Sequence, residues 1–182
     1  DELKSDINFI LEIFKINGQI LKYLSFELKN NKKIVLKAIR TSGLALKYAS
    51  NELKNNRDVV LAAVRENGRA LEYTFENLKD DREIVLEAVS NYGNSLEFAS
   101  LRLQNYYEIV LKAVSNNSFA IRYSSYELRN NKEIVLTALL NNGLSLKYLS
   151  NDLKDNKELV LIAVSNYGLS LKYVSKRLQN YY

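Results

Sequence analysis

One pattern of residues recurs every 25 positions along the whole chain. A leucine, a glycine and an aromatic residue each hold a fixed place in this period. The three sets are Leu28, Leu53, Leu78, Leu103, Leu128, Leu153 and Leu178; Gly18, Gly43, Gly68, Gly93, Gly143 and Gly168; and Tyr23, Tyr48, Tyr73, Phe98, Tyr123, Tyr148 and Tyr173. A fixed period of about 20 to 50 residues is the signature of a repeat architecture. We therefore expect residues 1–182 to form a single array of repeated units without linkers.

The sequence of each unit predicts two short α-helices. Arg82–Tyr92 is an example of the first helix. An Asn or Asp precedes this helix and an acid lies in its first turn, which is the pattern of a capping box. Where tyrosine occupies the second of the two capping positions, at Tyr106, we expect Asn105 to be the cap and Glu108 the answering acid. The acid also complements the positive end of the helix dipole.

The recurrent glycine is expected to end the first helix. Gly93 and its equivalents stand where a left-handed residue commonly terminates a helix, and glycine adopts that conformation without steric cost. Ser118 replaces the glycine in one unit, where Asn117 is expected to take the left-handed conformation instead.

The second helix is expected to follow at once, as in Leu44–Leu53. Helical spacing places Ala45, Leu46, Ala49, Ser50 and Leu53 on one of its faces. The first helix is apolar over a wider arc and must be covered on two sides, which a lone unit cannot do. The expected fold is all-α: an α-solenoid of about seven 25-residue helix–turn–helix repeats stacked in one right- or left-handed array.

Both ends of the chain match the interior of a unit. Asp1-Glu2-Leu3-Lys4 resembles the end of a second helix, and the hexapeptide at 102–107 recurs at 177–182, where it closes the chain on Tyr181-Tyr182. The chain contains no methionine. We expect it to be a window on a longer array in which a block of three units has been duplicated.

The apolar run Glu83–Val89, followed by Gly93 and by Leu96–Ser100, resembles the repeats known as domain of unknown function 4116. The resemblance covers essentially the whole chain. It implies helical units of twice the length seen here, found in bacteria, protists and large DNA viruses, and it implies an α-solenoid. It brings no catalytic residue, because no activity is assigned to that family.

The composition argues against an enzyme, a cofactor and a metal site. Histidine and cysteine are absent, so the commonest acid–base and nucleophilic arrangements cannot be built. No phosphate-binding or dinucleotide motif is present. A serine recurs once per unit, but Phe75 replaces it in one, which favours a packing role.

Other features bear on the compartment and the source. The absence of cysteine gives a weak expectation of a cytoplasmic or other intracellular location. No apolar run approaches the roughly 18 residues of a membrane span. The abundance of Asn, Lys, Tyr and Ile is typical of an AT-rich genome.

Positions that vary between units favour a non-enzymatic scaffold that binds a protein partner. Apolar side chains stand at positions where other units have polar or small residues, and stacking would align them into a surface patch. The candidate partner-binding residues are Phe26, Leu101, Tyr126, Phe119, Leu140 and Ile162.

Two alternatives stay open. Cations recur at the turn between units, and with the tyrosines they could hold RNA or another single-stranded nucleic acid. These cations are Lys29, Lys32, Lys54, Arg57, Lys79, Arg82, Arg129, Lys132, Lys154 and Lys157. Cations there also complement a helix C-terminus, and the tyrosines are expected to pack between units. An array open at both ends could also associate end to end into a filament or coat.

Overall fold

A computed structural model describes residues 7–180, and every regular element in that range is helical. The α-helices are α1 (Ile7–Phe14), α2 (Phe26–Lys29), α3 (Lys32–Ile39), α4 (Asn51–Lys54), α5 (Arg57–Glu66), α6 (Glu76–Lys79), α7 (Arg82–Asn91), α8 (Leu101–Gln104), α9 (Tyr107–Asn116), α10 (Lys132–Asn141), α11 (Asn151–Lys154), α12 (Lys157–Asn166) and α13 (Lys176–Gln179). The expectations about Asp1–Lys4 and Tyr181-Tyr182 fall outside the described residues.

A 3-10 helix follows each long α-helix. These helices are Gly18–Tyr23, Gly43–Tyr48, Gly68–Tyr73, Gly93–Phe98, Ser118–Tyr123, Gly143–Tyr148 and Gly168–Tyr173. In one unit a further 3-10 turn, Leu128–Asn130, takes the place of the short α-helix.

The prediction of one continuous second helix is wrong. Leu44–Leu53 is divided between the 3-10 helix Gly43–Tyr48 and the single turn α4, and the two residues between them are extended. The reason lies in Ser50, whose hydroxyl accepts a hydrogen bond from the amide of Leu53. A serine in that role is an N-cap, which starts a new helix instead of lying inside one. Each regular unit therefore has three helical elements.

The predicted caps of the long helices are displaced by one residue. In the unit of α7 the cap is Asp81, whose carboxylate accepts from the amides of Glu83 and Ile84. In the unit of α9 the capping position is held by Tyr106, whose side chain makes no capping bond. Asn105 is not the cap, because it lies at the end of α8.

The units stack in two layers to form an α-solenoid. Long helices pack on long helices, as α5 does on α7 and α7 on α9, while the 3-10 helices stack beside them. One continuous apolar core runs from Ile10 to Leu178. No helix between residues 7 and 180 is long and apolar enough to cross a membrane.

The recurrent glycine serves close approach between units, and the prediction of a left-handed conformation is wrong. No described residue has a positive φ, Gly93 and Asn117 included. A Cβ on Gly68 would lie 2.2 Å from the carbonyl oxygen of Ala88 in the next unit, and one on Gly93 would lie 2.4 Å from that of Ala113. Glycine is required at these two positions because a Cβ there would push the neighbouring units apart.

Candidate functional site

An asparagine near the end of several long helices joins neighbouring units. The side chain of Asn116 accepts from the amide of Gly93 at 2.6 Å and donates to the carbonyl of Ser90 at 2.9 Å. Asn91 and Asn166 make the same pair of bonds. We call this arrangement the asparagine clamp. It fixes how far one unit turns and slides on the next, and therefore how exposed side chains line up.

The recurrent serine makes a second set of links. Besides accepting from the amide of Leu128, the Ser125 hydroxyl donates to the side chain of Asn105 at 2.6 Å, and its amide donates to the carbonyl of Gln104 at 3.1 Å. The hydroxyl of Ser100 donates in the same way to the carboxylate of Asp80. The recurrent serine therefore stabilises the packing of units through hydrogen bonds. Phe75, which replaces it in one unit, makes no side-chain capping bond.

The repeated hexapeptide adds contacts of its own. Arg102 donates to the carboxylate of Asp80 at 3.0 Å, and Arg177 pairs with Asp155 at 2.8 Å. Hydrogen bonds from Ser100 and Arg102 hold the pKa of Asp80 below its usual value. Gln104 donates to three carbonyls at the end of the preceding 3-10 helix.

Four of the six predicted partner-binding residues are strongly exposed. Leu101 is 83% exposed, Tyr126 69%, Phe26 70% and Leu140 61%. The other two, Phe119 and Ile162, are partly buried: the Phe119 ring stands edge-on to Tyr148 at 6.0 Å, and Ile162 packs on the core. Leu101 and Tyr126 hold the same place in consecutive units, so the stacking puts them on one edge.

That edge continues into the column of tyrosines. Phe26 and Tyr48 line the same shallow cavity, together with Ser50. The period places Leu101 and Tyr123 in the equivalent relation. Phe26, Leu101 and Tyr126 therefore belong with the tyrosine column to one face of the array, which we call the short-helix face, whereas Leu140 lies in α10 of the long-helix layer.

Charged residues alternate with the tyrosine rings on this face. Lys47 lies 5.4 Å from the ring centre of Tyr73 in the next unit. The Arg122 guanidinium lies 4.5 Å from the ring centre of Tyr123 and 5.7 Å from that of Tyr148. Cation–π contacts of this kind order both groups.

Most tyrosines of the column are accordingly wedged between units, as expected, and are not free platforms, whereas Tyr23 is 66% exposed. Tyr48, Tyr123, Tyr148 and Tyr173 are partly buried against the core. Burial raises the pKa of the Tyr123 hydroxyl, which Arg122 opposes and the neighbouring Glu97 reinforces.

The basic edge predicted as a nucleic-acid groove is partly neutralised. Lys32 pairs with Asp58 at 2.7 Å, and Arg57 pairs with Asp81 at 2.9 Å and also with Glu83. The same link joins Arg82 to Glu108, and Lys79 pairs with Glu76 of its own helix. Tyr107 takes the place of the cation in one unit, and its hydroxyl donates to Glu133.

The remaining members of that edge differ in environment. Partial burial lowers the pKa of Lys54, and the Nε of Arg129 is buried without a hydrogen-bond partner. Lys29 and Lys154 are half-buried, whereas Lys132 and Lys157 are exposed. The ten cations therefore do not form one free basic stripe.

Within residues 7–180, no group of three or more acidic side chains could hold a metal ion. Several carboxylates with shifted pKa values take part in links between units: a hydrogen bond from Lys32 lowers the pKa of Asp58, and one from Arg177 lowers that of Asp155.

Sequence reasoning missed one group on the short-helix face, the cations Arg122, Lys147 and Lys172. The sequence feature that could have predicted this group is the charged residue immediately before each tyrosine of the column. Its meaning depends on contacts with rings 26 residues further along, as between Lys47 and Tyr73, which only the stacking reveals.

The family model described as Domain of unknown function (DUF4116) matches the chain four times in tandem, at residues 1–30, 31–79, 81–129 and 131–179. Each full match spans two of the 25-residue units. Comparison with curated proteins and with solved structures gives no match.

Proposed function

The chain belongs to the DUF4116 family, and we propose that it is a non-enzymatic α-helical repeat scaffold that binds a protein partner through its short-helix face. The observation that carries this proposal is the exposure of Leu101 and Tyr126, 83% and 69%, at the same place in consecutive interior units. Other units have Asn51, Glu76 or Asn151 there.

The proposal is supported by the contrast between core and surface. The core residues of the long helices repeat almost unchanged, and Val85 and Val110 are both fully buried. Exposed apolar side chains contribute nothing to that core, whereas each would stabilise a complex by about 1.5–3 kcal/mol if a partner covered it. Aligned apolar groups on a repeat array form the extended surfaces that partners occupy.

The test uses charge at these two positions. The double variant Leu101→Glu with Tyr126→Glu should lose a partner that the wild-type chain retains in a pull-down analysed by mass spectrometry. Asn51→Glu with Asn151→Glu is the matched control, because it puts the same two negative charges at the same place in other units.

Circular dichroism should show the same helix content and melting temperature for all three proteins, because the substituted side chains are exposed. A double variant that folds normally and still retains every protein bound by the wild type would contradict the proposal.

A further inference from the structure

Arg122, Lys147 and Lys172 hold the same place on the short-helix face in three consecutive units, and none of them has a carboxylate partner among the described residues. Lys22 and Lys47 hold that place in the first two units and are separated from these three by Glu72 and Glu97. Lys147 lies 5.5 Å from the ring centre of Tyr148, and Lys172 lies 4.7 Å from that of Tyr173. Arg122 donates only to tyrosine hydroxyls, those of Tyr123 and Tyr148. All three cations are exposed.

This arrangement differs from the basic edge between units. There Lys32, Arg57 and Arg82 are already held by acids of the next unit. On the short-helix face the cations rest on aromatic rings, which position them without neutralising their charge. They therefore keep the capacity to bind an anionic group from outside.

The charge at this place changes sign along the array. Glu72 and Glu97 occupy it in the two preceding units. The Tyr123 hydroxyl marks the boundary, since it lies next to Arg122 on one side and Glu97 on the other. A long polyanion that followed this face would meet the two acids, whereas a short anionic segment would fit the three basic units alone.

The spacing also suits a peptide. Stacked helices lie about 10 Å apart. An extended peptide in the polyproline II conformation presents every third side chain on one side, at intervals of about 9 Å. Acidic side chains three residues apart would thus face consecutive cations.

Apolar groups adjoin the basic ones on the same face. Tyr126 is exposed at the start of the turn that follows Arg122 and Tyr123, and Phe119 packs against Tyr148. A peptide that combined acidic residues with an apolar side chain could use both kinds of contact, whereas a nucleic-acid backbone could use only the cations.

We infer that Arg122, Lys147 and Lys172, with the rings of Tyr123, Tyr148 and Tyr173, form a binding site for a short acidic peptide segment, anchored by an apolar residue beside Tyr126. This inference rests on the proposed function, because it gives the chemistry of the protein partner at the same face.

The test measures fluorescence anisotropy with four labelled probes: a short oligoglutamate, the same peptide with one leucine, an oligolysine of equal length, and oligouridine. The full chain should bind oligoglutamate, bind the leucine-containing peptide more tightly, and ignore oligolysine. The variant Arg122→Glu/Lys147→Glu/Lys172→Glu should weaken binding of both acidic peptides at least about tenfold.

The matched control is Lys33→Glu/Lys37→Glu/Lys112→Glu. It reverses three exposed lysines of the long-helix layer and has the same net charge, so it should change the affinity no more than about twofold. Equal losses in both variants would show binding to overall charge and would overturn the inference. Absence of binding to either acidic peptide, or tighter binding of oligouridine, would overturn it as well.

The variant Leu101→Glu/Tyr126→Glu separates this inference from the proposed function. It should still bind the plain oligoglutamate, because the three cations are intact. If the double variant loses the cellular partner while reversal of the three cations leaves that partner bound, the proposed function stands and the acidic-segment site is wrong.

Discussion

Two neighbouring junctions of the array differ although their cores are alike. Between α7 and α9 the glycine position holds Gly93, and Asn116 makes both bonds of the asparagine clamp. Between α9 and α10 that position holds Ser118, and Asn141 makes a single bond, to the carbonyl of Ser115 at 3.4 Å.

The unit that contains Ser118 also differs from the others in the turn that follows its 3-10 helix. The regular short helix becomes the 3-10 turn Leu128–Asn130. Among the described residues, the amide link that joins Ser125 to Gln104 has no equivalent at Ser150. Ala113 in α9 and Ala138 in α10 hold the same place in the long helix that follows each junction, and both are nevertheless fully buried. Apolar stacking therefore holds the units together, and the polar links set their register.

The glycine position should give the largest effect. Gly93→Ala puts a Cβ 2.4 Å from a backbone oxygen of the next unit, so the two units must separate. We expect a loss of about 2–3 kcal/mol in the free energy of unfolding, measured by urea denaturation. Gly168→Ala is the control, because nothing lies within 4 Å of its added Cβ. Equal losses in both would show that backbone conformation, not close approach, requires glycine.

The clamp should give the next largest effect. Asn116→Ala removes two hydrogen bonds between units and should lower the free energy of unfolding by about 1.5 kcal/mol. Asn141→Ala removes one long bond and should cost about 0.5 kcal/mol, measured in the same titration. Equal destabilisation of the two variants would show that the second hydrogen bond of the clamp does not contribute to stability.

A buried serine offers a change in the opposite direction. The hydroxyl of Ser95 is fully buried without a hydrogen-bond partner, whereas Ala120 fills the same place in the next unit. Because an unpaired buried hydroxyl is destabilising, Ser95→Ala should raise the free energy of unfolding by about 1 kcal/mol. Ala120→Ser should lower it by a similar amount. Destabilisation by Ser95→Ala would indicate that the hydroxyl has a partner.

Acidification should weaken the hydrogen bonds and ion pairs that Asp80 and Asp155 make between units. The pKa of Asp80 and that of Asp155 are lowered in the folded chain, so their contribution to stability is present above the unfolded-state pKa and is lost as the pH falls through the folded one. Melting temperatures should fall on acidification from neutral pH. Asp80→Asn with Asp155→Asn should make that fall shallower, because the equivalent Asn105 link carries no charge. An unchanged slope would contradict this account.

The period alone predicted much of the fold. The long helix expected at Arg82–Tyr92 is observed as Arg82–Asn91. The sequence predicts this helix well because its apolar residues recur at helical spacing and a polar capping residue precedes it. The break in the second helix was missed because amphipathic spacing over so few residues suits an α-helix and a 3-10 turn equally. Ser50 carried the missing information, since serine at a fixed place is a capping signal.

The candidate site was predictable only in part. The exposure of Leu101 and Tyr126 follows from their difference from polar equivalents in other units. Phe119 looked similar, but its ring packs on Tyr148 of the next unit. Contacts across units join residues 20 or more positions apart, and their partners depend on the stacking register, which the sequence does not state.

Site-specific photo-crosslinking tests the central claim, that the short-helix face binds a protein partner, most directly. A photoreactive residue would replace Leu101, Tyr126 or, as the control on the long-helix layer, Lys37, in the cells from which the chain comes. We predict one discrete adduct shared by positions 101 and 126 and absent at Lys37. No adduct at either position, or the same adducts at all three, would contradict the claim.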